Sequence, residues 1–258
     1  MKKYVWLMCL GLLLGCGREE TKADVSGSPV VTQKTYQVTS YPYTPFVIRD
    51  GKGNVGGFET EILQAVAQKQ NIRFEFKPML NTWEMLFKSI ENKQADLLSA
   101  AMYPNPERAA RFEVSEPYMD TQFVLFVAKD AKINSLADLK DKRVAVFVKS
   151  MAEKEILSLP YADKITTVPI ESIYEGVKAV LSGKADAVYG DQVVLTYYAN
   201  QFRDKGVYLH ADAAAKKQHF VFLISKGNTE LLAQVNAGLA AIKADGTLDR
   251  IKRKWLEQ

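Results

Sequence analysis

The residue types that most often catalyse reactions or bind metals are scarce in this chain. Both cysteines, Cys9 and Cys16, lie near the amino terminus, so the rest of the chain has no thiol for a disulfide or a zinc site. The two histidines, His210 and His219, lack a ligand-like spacing and predict surface or packing positions. No nucleophile–base pair is apparent. We therefore expect neither a metal nor a cofactor.

The amino-terminal segment indicates export and lipid attachment. Lys2 and Lys3 precede an apolar run over residues 4–15, which is shorter than the roughly 20 residues of a transmembrane helix. The run ends in Leu-Leu-Gly-Cys, which resembles a bacterial lipobox and implies that Cys16 carries the lipid. We predict a lipoprotein signal peptide over 1–15 and a flexible tether over 16–33. The alternatives are an ordinary secretory signal with an unused cysteine, or a buried apolar helix.

The composition is that of a globular protein. The chain has 258 residues, 47% of them hydrophobic and 25% charged, which is enough for one large core or two modest ones. These values argue against disorder, collagen and coiled coil. The net charge of +4 mixes 34 basic with 30 acidic side chains, and it gives no electrostatic argument for a nucleic-acid partner.

Strands and helices alternate along the body of the chain. Residues 35–40 alternate as a strand, whereas residues 58–70 carry apolar side chains on one side of a helix. A further helix begins at Trp83, from which an apolar stripe continues. This alternation predicts an α/β protein with largely parallel sheets, which bind ligands on the loops at the carboxyl ends of their strands. The loops concerned follow Ser40, Ala101, Phe147 and Tyr189.

Short sequence blocks spread along the body resemble those of one bacterial family. The blocks are Tyr41 to Phe46 with Gly57 to Glu61, Trp83 through Ala95-Asp96, Pro106-Glu107-Arg108 with Phe112, Ser115, Pro117 and Tyr118, Leu136 to Lys140 with Val144 to Val146, Gly183 to Ala187 with Asp191, and Lys226-Gly227-Asn228 with Asp245-Gly246 and Lys254-Trp255. In this order and spacing they resemble the extracellular solute-binding proteins of family 3, which bind polar amino acids for ABC importers. The resemblance covers about residues 35–258.

The resemblance implies a two-lobed, type II periplasmic-binding fold with a hinge between the lobes. Lobe 1 is expected to comprise residues 34–122 and 221–258, and lobe 2 residues 123–220. The implied function is that of a lipid-anchored substrate-binding protein, facing the periplasm or the cell exterior. It would capture a small amino acid or an amino-acid-like solute in the cleft by hinge closure, and deliver it to a permease in the cytoplasmic membrane. We expect a monomer.

The carboxylate and the ammonium of an amino acid both need partners once water is excluded. Arg108 matches the family's carboxylate-binding arginine, and a guanidinium suits this role because its donors form a rigid fork. Ser150 begins a helix whose backbone N–H can reach the same carboxylate. Asp191 matches the family's acidic residue for the ammonium, so a zwitterion that bridges Arg108 and Asp191 favours closure. The alternative for Arg108 is a surface position at the start of a helix. The alternative for Ser150 and for Asp191 is to cap the helix that follows.

Aromatic residues are expected to line the rest of the cleft. Tyr43 matches an aromatic residue that packs on the ligand, and Phe147 lies at the facing position of lobe 2. Trp83 either lines the pocket or belongs to the apolar stripe of its own helix.

Three further lining residues depart from the family's pattern. Ala101 stands where members often have serine, glycine or another small polar residue. Tyr103 stands near a common serine, and Met151 replaces a common small hydroxyl residue. Bulky side chains at Tyr103 and Met151 change the volume and polarity of the cleft, and they bear on which solute fits.

An enzyme on the same fold, similar to the periplasmic cyclohexadienyl dehydratases, is the alternative to a binding protein. Such a reaction needs a general acid or base in the cleft, and Lys149 is the one cleft-edge residue that invites the idea. A lysine there is more often a solvated charge or a carboxylate partner, so we expect no enzymatic activity. A sensory receptor domain is a third reading, which is disfavoured because no kinase or second membrane segment follows Trp255.

Overall fold

A computed structural model describes residues 33–212 and 215–256 of the chain. The predicted signal peptide, Cys16 and all but the last residue of the predicted tether lie outside these described residues. The strands are β1 Thr35–Ser40, β2 Ile48–Arg49, β3 Val55–Gly56, β4 Arg73–Phe76, β5 Leu97–Met102, β6 Phe112–Val114, β7 Met119–Thr121, β8 Phe123–Ala128, β9 Arg143–Phe147, β10 Thr166–Ile170, β11 Ala187–Asp191, β12 Val207–Ala211 and β13 Gln218–Ser225. The helices are α1 Phe58–Gln70, α2 Trp83–Glu91, α3 Pro106–Arg111, α4 Met151–Leu157, α5 Ile173–Leu181, α6 Gln192–Gln201, α7 Thr229–Ala244 and α8 Thr247–Leu256. None of these described helices has the length and apolar character needed to cross a membrane.

The strands form two principal sheets, which we call the first and the second sheet. The first has the order β4-β1-β5-β13-β6, and the second has the order β10-β9-β11-β8-β12. β1, β4 and β5 are parallel, as are β9, β10 and β11. The prediction of largely parallel sheets is wrong for β8 and β13, which pair antiparallel to their neighbours. These two strands lie at the connections between the sheets: β8 begins the second sheet and β13 returns the chain to the first.

Two antiparallel strands connect the sheets. The chain leaves the first sheet along β7 and enters the second as β8, and it returns along β13, where Gln218 lies opposite Thr121. This path brings the carboxyl ends of β5 and β9 to one cavity. Such ends are where α/β sheets bind ligands, because the loops there are free to carry polar side chains.

The close packing of α1 against α7 supports the first sheet. Ile62 and Leu63 of α1 and Leu231 of α7 are fully buried, and each such side chain contributes roughly 1.5–3 kcal/mol. Gly238 of α7 lies against Val66 of α1, where an added Cβ would come within 2.6 Å of the valine side chain. The helices therefore approach this closely only with glycine at that position.

Candidate functional site

Eight of the nine predicted ligand-binding residues line one cavity of about 210 Å³ between the two sheets, which we call the cleft cavity. These residues are Tyr43, Trp83, Ala101, Tyr103 and Arg108 on the side of the first sheet, and Phe147, Ser150 and Met151 on the side of the second. The ninth, Asp191, does not line the cavity and lies behind Tyr103. The structure brings eight of these residues together at one cavity, and their binding roles stay predictions.

Four residues that we did not predict as ligand-binding also line the cleft cavity. They are Phe87, Ala100, Met102 and Lys149. Phe87 has a signal in the sequence, because it follows Trp83 by one helical turn and so shares its face of α2. Ala100 and Met102 flank Ala101 on β5, and nothing in the sequence marks them as lining residues. Lys149 was expected only at the cleft edge.

Arg108 is held by a short, capped helix. Asn105 caps α3, since its Oδ1 accepts the backbone N–H of Arg108 at 2.8 Å, and Pro106 occupies the first turn, where no backbone donor is needed. The guanidinium carbon lies 5.6 Å from the centre of the Phe87 ring, and Nη1 donates to the Tyr103 carbonyl at 2.5 Å. Burial lowers the pKa of Arg108 from its ordinary value. Within the described ranges no carboxylate pairs with this guanidinium, whose remaining N–H donors suit an anion.

An aromatic cluster closes the cleft. Phe147, at the end of β9 and only 4% exposed, packs against three aromatic side chains that lie on the side of the first sheet. Its ring centre lies 6.1 Å from that of Tyr43, 5.9 Å from that of Trp83 and 6.2 Å from that of Tyr41. Tyr41 in turn stacks on Trp83 at 5.0 Å. These contacts join the two sides of the cleft.

The turn between β9 and α4 forms the second-sheet side of the cavity. Ser150 caps α4, because its Oγ accepts the N–H of Glu153 at 3.1 Å. It therefore has the helix-capping role that was its alternative to ligand binding. Lys149 has a φ of 58°, and its backbone N–H donates to Glu153 Oε2 at 2.6 Å. Glu153 thus fastens the turn that presents Lys149, Ser150 and Met151 to the cavity.

Asp191 is the N-cap of α6 and a link between the sheets. Its Oδ1 accepts the backbone N–H groups of Val193 and Val194 at 2.8 and 3.1 Å. Its Oδ2 accepts the hydroxyls of Tyr103 at 2.5 Å and Thr121 at 2.7 Å. Burial raises the pKa of the Asp191 carboxyl, although these hydrogen bonds oppose the rise. Asp191 therefore has the helix-capping role that was its alternative. Its contact with a ligand stays a prediction, and this contact requires Tyr103 to move.

Glu59 is a buried carboxyl group that positions the end of β5. Oε1 accepts the N–H of Ala101 at 2.9 Å and the hydroxyl of Tyr118, and Oε2 accepts the hydroxyl of Ser99 at 2.5 Å. Ala101 has a φ of 51°, which few non-glycine residues adopt, and the hydrogen bond stabilises this conformation. Burial raises the pKa of Glu59 to about 7. The sequence showed Glu59 only as part of a family block, without a role.

The side chains around the cleft cavity favour an anion. Arg108 and Lys149 are cationic, and none of the described residues that line the cleft cavity is acidic. A neighbouring cavity of about 360 Å³ shares Lys149 and adds Glu84 and Glu171. A larger groove of about 540 Å³ contains none of the predicted site residues. Over residues 33–212 and 215–256, no three His, Cys, Asp or Glu side chains are grouped so that they can hold a metal ion.

Known proteins resemble this chain over most of its length. The profile of the bacterial extracellular solute-binding proteins, family 3, matches residues 37–258, and the chain belongs to this family. The amino-acid-binding protein AabA of Dichelobacter nodosus is 28% identical over 84% of this chain and 86% of its own length. The arginine-binding extracellular protein ArtP of Bacillus subtilis is 29% identical over 99% of this chain and 98% of its own. Among solved structures, the ancestral amino acid-binding protein AncCDT-1, a precursor of cyclohexadienyl dehydratase, matches with a TM-score of 0.75 and 31% identity, over 86% of this chain and 95% of its own.

These matches confirm two predictions from the sequence. The family is the one that the sequence blocks resembled, and the fold is the α/β, two-lobed type II class. AabA is named an amino-acid-binding protein and ArtP an arginine-binding extracellular protein, and a further relative from Haemophilus influenzae is named a probable amino-acid ABC transporter-binding protein. These names favour solute binding over the dehydratase alternative. The family is extracellular, in agreement with the predicted export.

Proposed function

We propose that this protein is the solute-binding component of an ABC importer. It captures a small amino acid or an amino-acid-like solute in the cleft cavity and delivers it to a permease in the cytoplasmic membrane. The curated relatives support this assignment, because they carry amino-acid-binding names and match most of the chain. The protein acts as a monomer and performs no chemical reaction on the solute.

One observation carries the proposal. The guanidinium of Arg108 lines a cavity enclosed from both sheets, with no carboxylate of the described residues paired to it. Arg108 is half-buried. A partly desolvated guanidinium without a counter-ion is unfavourable, and a ligand carboxylate compensates for this through two parallel hydrogen bonds. The aromatic walls then exclude water from the rest of the ligand. The cationic lining of Arg108 and Lys149 favours a neutral or acidic side chain over a basic one.

Ligand capture follows from the two-lobed construction. Lobe 1 comprises 34–122 and 221–258 and lobe 2 comprises 123–220, and the strands that connect the sheets act as the hinge. In the open state Phe147 separates from Tyr43 and Trp83 and admits the solute. A solute that contacts both lobes binds the closed state better, and this difference in affinity drives closure.

The proposal is tested by thermal shift of the purified protein. The compounds are the amino acids and their dimers, cystine included, together with small carboxylates of similar size. A ligand that binds only the folded state stabilises it by RT ln(1 + [L]/Kd), about 2.7 kcal/mol at 100 times Kd. We expect one group of chemically related compounds to raise the Tm. A folded protein whose Tm responds to none of them would contradict the proposal.

The lipid anchor is a separate part of the proposal. The Leu-Leu-Gly-Cys sequence supports acylation of Cys16, and with it attachment of the exported protein to a membrane surface. In cells that express the full chain, labelled palmitate should enter the wild-type protein, which should sediment with the membrane fraction. Cys16→Ser should lose both properties, whereas Cys9→Ser should keep them. Equal labelling of Cys16→Ser and wild type would refute the anchor.

A further inference from the structure

The hydrogen-bonding capacity of Asp191 is filled by the protein itself. A carboxylate offers about four lone-pair positions, two on each oxygen. Oδ1 accepts the N–H groups of Val193 and Val194, and Oδ2 accepts the hydroxyls of Tyr103 and Thr121. An ammonium group of a ligand therefore finds no free position on this carboxylate while these four hydrogen bonds are in place.

The Tyr103 hydroxyl reaches Asp191 from the other sheet. Tyr103 follows β5 of the first sheet, whereas Asp191 ends β11 of the second, so their 2.5 Å hydrogen bond joins the two. The Tyr103 ring is fixed by aromatic neighbours, with ring centres 4.9 Å from Phe220 and 5.5 Å from Phe123. Burial raises the pKa of Tyr103 well above its ordinary value, so the phenol stays protonated as the donor. The protein thus makes, across the cleft, a contact of the kind that a ligand ammonium would make.

The rest of the cavity offers an ammonium no better partner. Arg108 and Lys149 carry the two formal charges among the described lining residues, and both charges are positive. An ammonium group placed between them would be repelled and would lose its hydration without a carboxylate in return. A carboxylate with an apolar or neutral polar body is instead complementary to the guanidinium and the aromatic walls.

We propose that the Tyr103 hydroxyl substitutes for a ligand ammonium at Asp191, so that the cleft cavity accepts carboxylates that lack an α-amino group. The ligand class is small organic acids with an apolar or neutral polar body, of the size of an amino acid. This inference rests on the proposed function, because it presumes that a small carboxylate is captured in this cavity. It makes Tyr103 a specificity-determining residue.

The direct test compares amino acids with their deaminated counterparts. Calorimetric titration of the purified protein uses the pairs leucine and 4-methylpentanoate, phenylalanine and 3-phenylpropanoate, and glutamine and glutaramate. For any pair that binds, we expect the deaminated member to bind as tightly as the amino acid, within about threefold, or more tightly. An amino acid that binds better than its counterpart by more than this factor overturns the inference and leaves the proposed function standing. If neither member of any pair binds, both fail.

A variant and a matched control separate Tyr103 from its neighbours. Tyr103→Ser opens a path from the cavity to Asp191, and it should shift the affinity ratio toward the amino acid by about tenfold or more. Thr121→Val removes the other hydroxyl on the same oxygen but leaves Tyr103 in place, and it should leave the ratio unchanged. An equal ratio in wild type and Tyr103→Ser, or the same shift in both variants, contradicts the assignment. If Tyr103→Ser does not fold, the wild-type comparison decides alone.

Discussion

Arg108 is prepared for an anion by its neutral neighbours. Its guanidinium rests on the Phe87 ring, and one N–H is bound by the carbonyl of Tyr103. These contacts fix the orientation of the side chain while leaving most of its donors free. An arginine held in this way loses little side-chain entropy when a carboxylate arrives, which favours binding.

Replacement of Arg108 should weaken ligand binding strongly. Each charge-assisted hydrogen bond contributes about 1.5–3 kcal/mol, so Arg108→Ala should lower the affinity by at least tenfold. Arg111→Ala is the matched control, because Arg111 lies on the same helix but pairs with Glu91 and Glu107 outside the cleft cavity. The affinity of Arg111→Ala for the ligand should stay close to that of the wild type, as measured by calorimetry. Equal losses in the two variants would contradict the role of Arg108.

The buried Glu59 should make stability depend on pH. Burial raises the pKa of Glu59 from 4.5 to about 7, so over this interval the folded state binds more protons than the unfolded state. The free energy of unfolding should therefore fall as pH rises through this interval and level off above it, a change of roughly 3 kcal/mol. Glu59→Gln keeps the shape of the side chain but cannot titrate, and it should lose this slope in urea unfolding. The same slope in both proteins would show that another group is responsible.

At the scale of elements, the site depends on short segments that the sequence marks weakly. α3 has only six residues, yet it carries Arg108, and its orientation depends on the Asn105 cap. Asn105→Ala should cost about 1 kcal/mol of stability through loss of the cap, and it should also weaken ligand binding. Asn105→Thr keeps a capping oxygen and should restore most of both. Stability is measured by urea unfolding and affinity by calorimetry. Ligand affinity unchanged in Asn105→Ala would show that the cap does not position the guanidinium.

The longer elements were predictable because each repeats a pattern. β1, α1 and α7 begin and end where alternation or helical periodicity begins and ends. α3 and β12 show no such pattern in the sequence, for physical reasons. Six residues are too few to show a helical period. β12 pairs only at the edge of the second sheet, where none of its five residues is fully buried. The direction of β8 and β13 depends on pairing between distant segments, which periodicity does not report.

The candidate site was predictable where a motif marks it and hidden where only the fold creates it. Family blocks marked Arg108 and Tyr43, and the structure places both at the cleft cavity. The bond from Tyr103 to Asp191 was hidden, because it joins residues 88 positions apart on different sheets. Glu59 was likewise visible in the sequence only as part of a family block. Its three hydrogen bonds in the structure show that it positions the end of β5.

At the scale of the whole molecule, closure depends on a few aromatic contacts across the cleft. Phe147 is the second-sheet member of this cluster, and it touches Tyr41, Tyr43 and Trp83. Removal of the ring deletes contacts that only the closed state makes, and so shifts the ligand-free protein toward the open state.

Phe147→Ala should therefore increase the radius of gyration of the ligand-free protein in small-angle scattering. The loss of buried contacts should also cost about 3 kcal/mol of stability. Tyr174→Ala is the control, because Tyr174 is an exposed aromatic residue of α5 that lines neither cavity of the cleft. Its radius should match wild type. Equal radii in Phe147→Ala and wild type would show that this cluster does not control closure.

The central claim, capture of a small carboxylate in the cleft cavity beside Arg108, is tested most directly by tryptophan fluorescence. Trp83 lines this cavity, whereas Trp255 lies on α8 outside it and Trp6 belongs to the predicted signal peptide. The Trp255→Phe protein is titrated with the amino acids and their deaminated counterparts. The account predicts a saturable change in emission that is lost when Arg108→Ala is added. No saturable change with any compound, or an equal change without Arg108, would contradict it.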